Sequence, residues 1–493
     1  PNPKPVLKTL LANNRAAHYA IAALIGASGV LCFAPFELFW LAPAVWLGLF
    51  VLLRSADSAK QAALTGLSFG LGFFLTGVSW VYVSLSVFGG MPWWLAGIAA
   101  FLFCSVMALF PSLAGWIFKR WQPAAPWRQA LLFAVLIAAV DWLRSWIFTG
   151  FPWLAVGYSQ APPSPLAGFA PLFGVHGLSL LVALSGALLL RWRVGLGFIA
   201  IATASGFGLQ QAPWTTPIGA PISVALIQGN VPQEMKFRPE AFFRTLNLYR
   251  ELVEQNPAQL TLLPETAIPA FFDQLPPDYI ESLKATALAQ GGDLIVGALS
   301  GDAQRYWNSA ISIGSSPLQV YSKSHLVPFG EIIPPGFSWF MNIASIPMSA
   351  FSRGPETQLP LAVAGQQVAI NICYEDVFGE EIIRALPQAG ILANLSNTAW
   401  FGRSLAQPQH LQIARMRAVE TGRPMLRATN TGMTAVIGAD GSLQAVLPPF
   451  TQGVLKAKVQ AYQGMTPYAL IGNYGFLLLA GLLLLASRWP PRR

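Results

Sequence analysis

Eight apolar runs, near 17–35, 39–53, 62–85, 92–118, 129–148, 165–190, 194–211 and 468–486, constrain this chain more than any other feature. A helix crossing about 30 Å of hydrocarbon needs about 20 apolar residues at about 1.5 Å of rise each. Only 10% of the 493 residues are charged and 54% are hydrophobic, where a soluble domain carries roughly 25% charged residues. A mean hydropathy of +0.51 says the same. Such a chain cannot dress itself in polar surface, so much of it faces lipid.

Basic residues order the runs. Lys4, Lys8 and Arg15 precede the first, which reads as an uncleaved signal-anchor. Arg54 and Lys60 follow the second. Lys119, Arg120 and Arg128 follow the fourth, Arg191 and Arg193 the sixth, and Arg488, Arg492 and Arg493 the eighth. The alternate connections "APFEL", "SVFGGMPW" and "TGFPWLAVGYSQAPPSP" hold no Lys or Arg. By the positive-inside rule both termini are cytoplasmic, and seven spans deliver the stretch near 214–466 to the outer face. The net charge of +9 is therefore a topology signal; a nucleic-acid surface would need its basic residues gathered on one face. The expected organisation is a seven-span domain over 1–213, a soluble domain over 214–466, and an eighth span with its tail over 467–493.

The soluble stretch alternates strand-like and helix-like segments. "PISVALIQGNV", "QLTLLPETAI", "GDLIVGALS", "NSAISIG", "LQVYSKSHLV" and "GQQVAINICYED" read as strands. "RPEAFFRTLNLYRELVEQ" and "QHLQIARMRAVETG" read as helices, so the domain is α/β. Functional groups in such sheets gather just past strand carboxyl ends, where Glu265, Lys323 and Cys373 fall. A carboxylate can take a thiol proton and a lysine can stabilise thiolate and oxyanion, so the three types suffice for acyl transfer. Each also has a plain reading, as inert core cysteine, solvated loop charge and outward strand residue. Cys32 and Cys104 lie in apolar runs, and the histidines (His18, His176, His325, His410) are scattered. No zinc spacing exists, and no metal or cofactor is expected.

"LLPETAIP", "YSKSHLVPFGE" and "NICYED" resemble, in order and spacing, the catalytic segments of the nitrilase superfamily, and "ARMRAVETGRPMLRATNTG" resembles its downstream segment. "DWLRSWIFTGFPWLAVGYSQ" and "QGNVPQEMKF" are similar to the membrane-anchored branch of that superfamily, the apolipoprotein N-acyltransferases. The resemblance implies eight transmembrane helices with an extracytoplasmic αββα sandwich, in a bacterial inner membrane with the catalytic domain periplasmic. It makes Glu265 the general base, Lys323 the oxyanion cation and Cys373 the acyl-carrying nucleophile. Glu331, Tyr374 and Glu375 would support the site. Phe237 stands where the family pattern can carry Trp, which leaves an aromatic face without an indole N–H. The implied donor is a phospholipid (phosphatidylethanolamine is expected) and the implied acceptor a diacylglyceryl-modified apolipoprotein.

Three further expectations concern lipid. Segments 332–351 and 268–277 read as apolar arms dipping into the interface. Asp141 and Arg144, at i and i+3 in the fifth run, suit a mutual salt bridge, the alternative being that Arg144 binds a lipid phosphate. The rival functions are a tethered amidase, which would not need apolar arms, and a transporter, which would need charged or broken spans at the midplane.

Overall fold

A computed structural model describes residues 15–302, 304–333 and 351–488. Most of the arm expected at 332–351 therefore lies outside the described residues, as do the basic residues Lys4, Lys8, Arg492 and Arg493. The chain divides into two compact units. Of the described residues, the first holds those within 15–82, 93–212 and 471–488, and the second those within 83–92 and 213–470.

The first unit is helical: α1 (Arg15–Gly29), α2 (Ala42–Ser55), α3 (Ala59–Gly77), α4 (Trp93–Trp121), α5 (Pro126–Arg144), α6 (Ala170–Leu188), α7 (Trp192–Gln210) and, after the second unit, α11 (Tyr474–Arg488). Among the described residues, four stretches are long and apolar enough to cross a bilayer: Arg15–Cys32, Trp93–Trp121, Pro126–Arg144 and Pro165–Gln210. Ala59–Gly77 and Val81–Phe88 are long and apolar enough only when taken together, across a bend of 58°, and Phe39–Ser55 and Tyr474–Arg488 are shorter. The eight apolar runs thus resolve unevenly. The sixth and seventh are one 46-residue stretch, interrupted where Arg191 leaves helical geometry.

Two devices hold this unit. Small residues let helix axes close up: a Cβ on Gly66 would stand 2.2 Å from the Pro111 carbonyl oxygen of α4, and one on Gly72 1.9 Å from that of Ala23 in α1. The second device is polar. Asp141 accepts from Arg144 at 3.1 Å, from the Val156 N–H at 2.7 Å and from Ser179 Oγ at 2.9 Å. Arg144 also donates to the carbonyls of Phe151 and Trp153. The buried pair thereby pins the segment after α5 onto α5 and α6, and Arg144 is 2% exposed with both Nη1 and Nη2 bonded to protein acceptors.

The second unit is a sandwich of two six-stranded sheets, ordered β12-β1-β2-β3-β4-β5 and β11-β10-β9-β8-β7-β6. The strands are β1 (Thr216–Gln228), β2 (Leu260–Leu262), β3 (Asp293–Gly301), β4 (Tyr306–Gly314), β5 (Gln319–Ser322), β6 (Leu361–Val363), β7 (Gln366–Ile372), β8 (Ile391–Ser396), β9 (Met425–Thr429), β10 (Ala435–Ile437), β11 (Leu443–Val446) and β12 (Gly453–Gln463). Val224, Leu226, Leu262 and Ile295 of one sheet meet Val368, Ile370, Ala393 and Leu426 of the other in a shared core. The outer face of the first sheet packs on Leu246, Tyr249 and Val253 of α8 (Pro239–Glu254) and on Leu283 and Ala287 of α9 (Pro277–Ala289). The outer face of the second takes Leu411, Ala414 and Ala418 of α10 (Ala406–Thr421). The order of layers is α–β–β–α.

Two strand expectations shorten. "QLTLLPETAI" pairs only over Leu260–Leu262, since Pro264 has no N–H to extend the ladder. "LQVYSKSHLV" ends as a strand at Ser322, and the Lys323 N–H keeps one last bond to the Asn308 carbonyl of β4 at 2.8 Å. Segment 268–277 is not a free arm in this unit: Ile268 and Leu275 are buried in the core beneath α8 and α9, with Phe272 packed against it. Apolar composition alone does not distinguish the two fates.

Asp141→Ala should lower the stability of the membrane unit by roughly 3–5 kcal/mol, because it strands a buried guanidinium. Asp141→Ala combined with Arg144→Leu should recover part of that loss in a thermal unfolding series in detergent.

Candidate active site

The two sheets bring several strand ends together. Glu265 follows β2, Lys323 follows β5, Cys373 follows β7 and Asn397 follows β8. β7, β8 and β9 run parallel, as do β1, β2 and β3, so side chains past their carboxyl ends share one rim. Glu265 and Asn397 meet across the sandwich: Oε2 accepts the Asn397 backbone N–H at 2.7 Å.

Cys373 begins a tight 3-10 turn, Cys373–Val377, at φ +54°. That left-handed conformation is uncommon for a residue with a side chain, and such outliers gather at active sites. It lets a buried strand reverse at once, and its carbonyl is held by Asn394 Nδ2 at 3.1 Å. Asn394 also receives Arg427 Nη1 at 2.8 Å, and Arg427 reaches Asp376 at 2.6 Å, where His410 Nε2 stands 2.6 Å away. A buried polar network therefore underlies the turn.

Glu265 is nearly all buried. Lys323 Nζ lies 3.3 Å from its Oε1, and Asn308 Nδ2 donates to the same oxygen at 2.8 Å. Lys323 also pairs with Glu331 Oε1 at 2.9 Å, while Glu331 accepts from Asn308 at 3.1 Å and from the Val327 N–H at 2.9 Å. Burial pushes the Glu265 pKa up, but Lys323, Lys236, Asn308 and Asn397 outweigh it, so the carboxyl titrates below its usual range. Burial pulls the Lys323 pKa down, but Glu265, Glu331 and Cys373 reverse that and hold it above an ordinary lysine. The thiol is raised, by burial first and Glu265 second, with Lys323 opposing. At rest the site combines a neutral thiol, an ionised carboxylate and a permanent ammonium.

Glu375 fastens two of these pieces together. Its Oε1 accepts from the Ser324 N–H, Ser324 Oγ and the His325 N–H, at 2.7, 2.9 and 3.0 Å. Its Oε2 accepts from the Ile372 N–H at 2.7 Å and Tyr321 OH at 2.9 Å. One carboxylate thus ties the segment after Lys323 to the strand before Cys373. Burial raises its pKa against those N–H donors and the Lys323 charge. Tyr374 is 8% exposed, edge-on to His325 and Phe378. Phe237 is 40% exposed, and Arg144 belongs to the separate helical unit.

Asn308, Asn397 and Lys236 complete the geometry and went unread in the sequence. Lys236 stands beside Phe237 in "QEMKF", yet nothing in that string says its ammonium turns inward. Among the described residues, no group of three or more His, Cys, Asp or Glu could hold a metal ion.

Residues 25–188 match the family described as the apolipoprotein N-acyltransferase N-terminal domain, and residues 223–468 match carbon-nitrogen hydrolase. An apolipoprotein N-acyltransferase of Nitrosomonas europaea is 50% identical over 480 residues, covering 94% of this chain and 96% of its own. One from Ralstonia nicotianae is 45% identical over 493 residues, covering 96% and 93%. The chain belongs to the apolipoprotein N-acyltransferase family. Both parts of the chain, helical unit and sandwich, fall inside that relationship, so an apolipoprotein N-acyltransferase architecture joins a membrane domain to a carbon-nitrogen hydrolase domain in one polypeptide.

Glu375→Gln should cost on the order of 3 kcal/mol of stability and at least about tenfold in turnover, because an amide NH2 must face donors already pointed at it. Tyr321→Phe, which removes one donor only, should cost about 1 kcal/mol. Thermal melts and acylation rates on the two variants check the contrast.

Proposed function

We propose that this chain moves a fatty acyl group from a membrane phospholipid, with phosphatidylethanolamine as the expected donor, to the N-terminal α-amine of a diacylglyceryl-cysteine on an apolipoprotein. The observation that carries the reading is the buried Lys323–Glu265 pair at 3.3 Å, electrostatically coupled to a thiol on a left-handed turn. Family membership supplies the two substrates.

Glu265 accepts the thiol proton as the Cys373 sulfur attacks the ester carbonyl. A carboxyl held below its usual range is a weak base for a raised thiol, so proton transfer accompanies carbon–sulfur bond formation instead of preceding it. The oxyanion forms beside Lys323, with the Tyr374 backbone N–H as a second donor. Collapse expels the lysophospholipid alkoxide, which recovers the proton from Glu265, and a thioester remains. The acceptor amine, whose conjugate acid has a pKa of about 8, attacks in its neutral form. Glu265 takes the amine proton, the amide forms, and the leaving sulfur is reprotonated. Thioester to amide is downhill, so the sequence needs no nucleotide.

The membrane domain makes this chemistry accessible to lipids. Lifting an acyl chain into water costs about 0.8 kcal/mol for each CH₂ exposed, which a tethered enzyme largely avoids. We read eight passes in a bacterial inner membrane, with the catalytic domain periplasmic and both termini cytoplasmic. The 46-residue stretch Pro165–Gln210 supports two of those passes, since at about 1.5 Å per residue a straight helix of that length would run about 69 Å. The basic connections support the orientation.

Incubation of the full chain with acyl-labelled phosphatidylethanolamine, quenched before acceptor is added, should leave the label on the Cys373 peptide as a thioester. Glu265→Gln and Lys323→Ala should fold and reduce labelling by at least about 10³-fold, the scale of a lost base or oxyanion donor. Release of labelled fatty acid to water at the rate of thioester loss, acceptor present, would mark a hydrolase instead.

A further inference from the structure

Lys236 takes no part in the roles above. It lies in the turn between β1 and α8, 4% exposed, and its Nζ donates to the backbone carbonyl of Glu265 at 3.0 Å. That is the ammonium's one hydrogen bond among the described residues, which leaves two of its N–H bonds without an acceptor there. A buried ammonium is retained only against negative charge. Glu265 acts on it at rest, and a thiolate at Cys373 would do so as it forms. Lys323 reaches the Glu265 carboxylate itself and is shared with Glu331. Asp376 also acts on Cys373 from the turn below, while Glu234 and Arg238 of the Lys236 turn are exposed to solvent.

We propose that Lys236 is a positioning residue of the thiol site, a second ammonium that keeps Glu265 ionised and carries part of the charge developing on the Cys373 sulfur. The thiol proton passes to Glu265 and the pair keeps its net charge of one. Neither lysine gains or loses a proton in the step. Without Lys236 the shared Lys323 would face two carboxylates alone. The proposal rests on Cys373 being the nucleophile.

Burial holds the Lys236 pKa down to about 8, against the pull of Glu265 and Cys373. Lys236 is therefore cationic at neutral pH and loses its charge in mildly alkaline solution, where Lys323 does not. Iodoacetamide alkylation of the Cys373 peptide, followed by mass spectrometry across a pH series on the full chain in detergent, reads this without any lipid. The parent's rate should climb with pH and then flatten as Lys236 deprotonates. Lys236→Met should alkylate about tenfold more slowly at neutral pH, the effect of one pKa unit on the thiol, with no flattening. Lys236→Arg, which does not titrate there, should keep the neutral rate and go on rising. A Lys236→Met profile like the parent's would overturn the proposal. Should that variant fail to fold, flattening that persists in Lys236→Arg overturns it equally. Alkylation as expected in a chain that forms the Cys373 thioester but releases its acyl group to water would sink the acyl-transfer reading and leave this one standing.

Discussion

A carboxylate and an ammonium held 3.3 Å apart and closed off from water set the terms for everything around them. Each ion gives up several kcal/mol of hydration, which the pair alone does not restore unless every remaining donor and acceptor finds a partner. Here the carboxylates find theirs: Asn308 and the Asn397 N–H serve Glu265, and the Val327 N–H and Asn308 serve Glu331. With Lys236 included, two carboxylates face two ammoniums. Burial first and Glu265 second keep the thiol neutral at rest, so it needs a substrate to draw its proton away.

The fold exists to bring distant residues to that point. Glu265, Lys323 and Cys373 are far apart in sequence, and only two sheets facing each other deliver their strand ends to one rim. The core of Val224, Leu262, Val368 and Ala393 fixes the distance between the sheets. Glu375, with five donors, fixes the Lys323 segment against the strand before Cys373. The left-handed turn at Cys373 is sustained from below by Asn394 and Arg427. The same chain carries apolar helices, which suits the lipid substrates proposed for the site.

Much of this was readable in the residues, and the failures share a cause. That Glu265 and Lys323 share a site came from the family resemblance; strand ends and the α/β alternation followed from periodicity, because those are properties of one segment at a time. The i, i+3 pair Asp141–Arg144 was legible for the same reason; that its remaining bonds go to Val156, Phe151 and Trp153 was not. Segment 268–277 misled because Ile268 and Leu275 would look alike in a core and in a lipid arm. Asn397 and Lys236 were invisible because a loop residue has no periodicity, and Asn308, though in β4, because a strand pattern does not say which polar side chain meets a carboxylate; only the closed sandwich turns them inward. The apolar runs marked lipid-facing helix but could not show that one would bend by 58° or that two would form a single stretch.

The resting ionisation of the site is the claim on which the chemistry stands, and it can be measured without substrate. Ultraviolet thiolate absorbance, taken as the difference between the parent chain and Cys373→Ser across a pH titration, isolates this sulfur from Cys32 and Cys104. A neutral thiol beside an ionised Glu265 predicts no difference signal at neutral pH, and a thiolate that emerges only above the ordinary cysteine range. A full thiolate signal at neutral pH would contradict it, since Cys373 would then be a standing ion pair with Lys323 and Glu265 would have no proton to take.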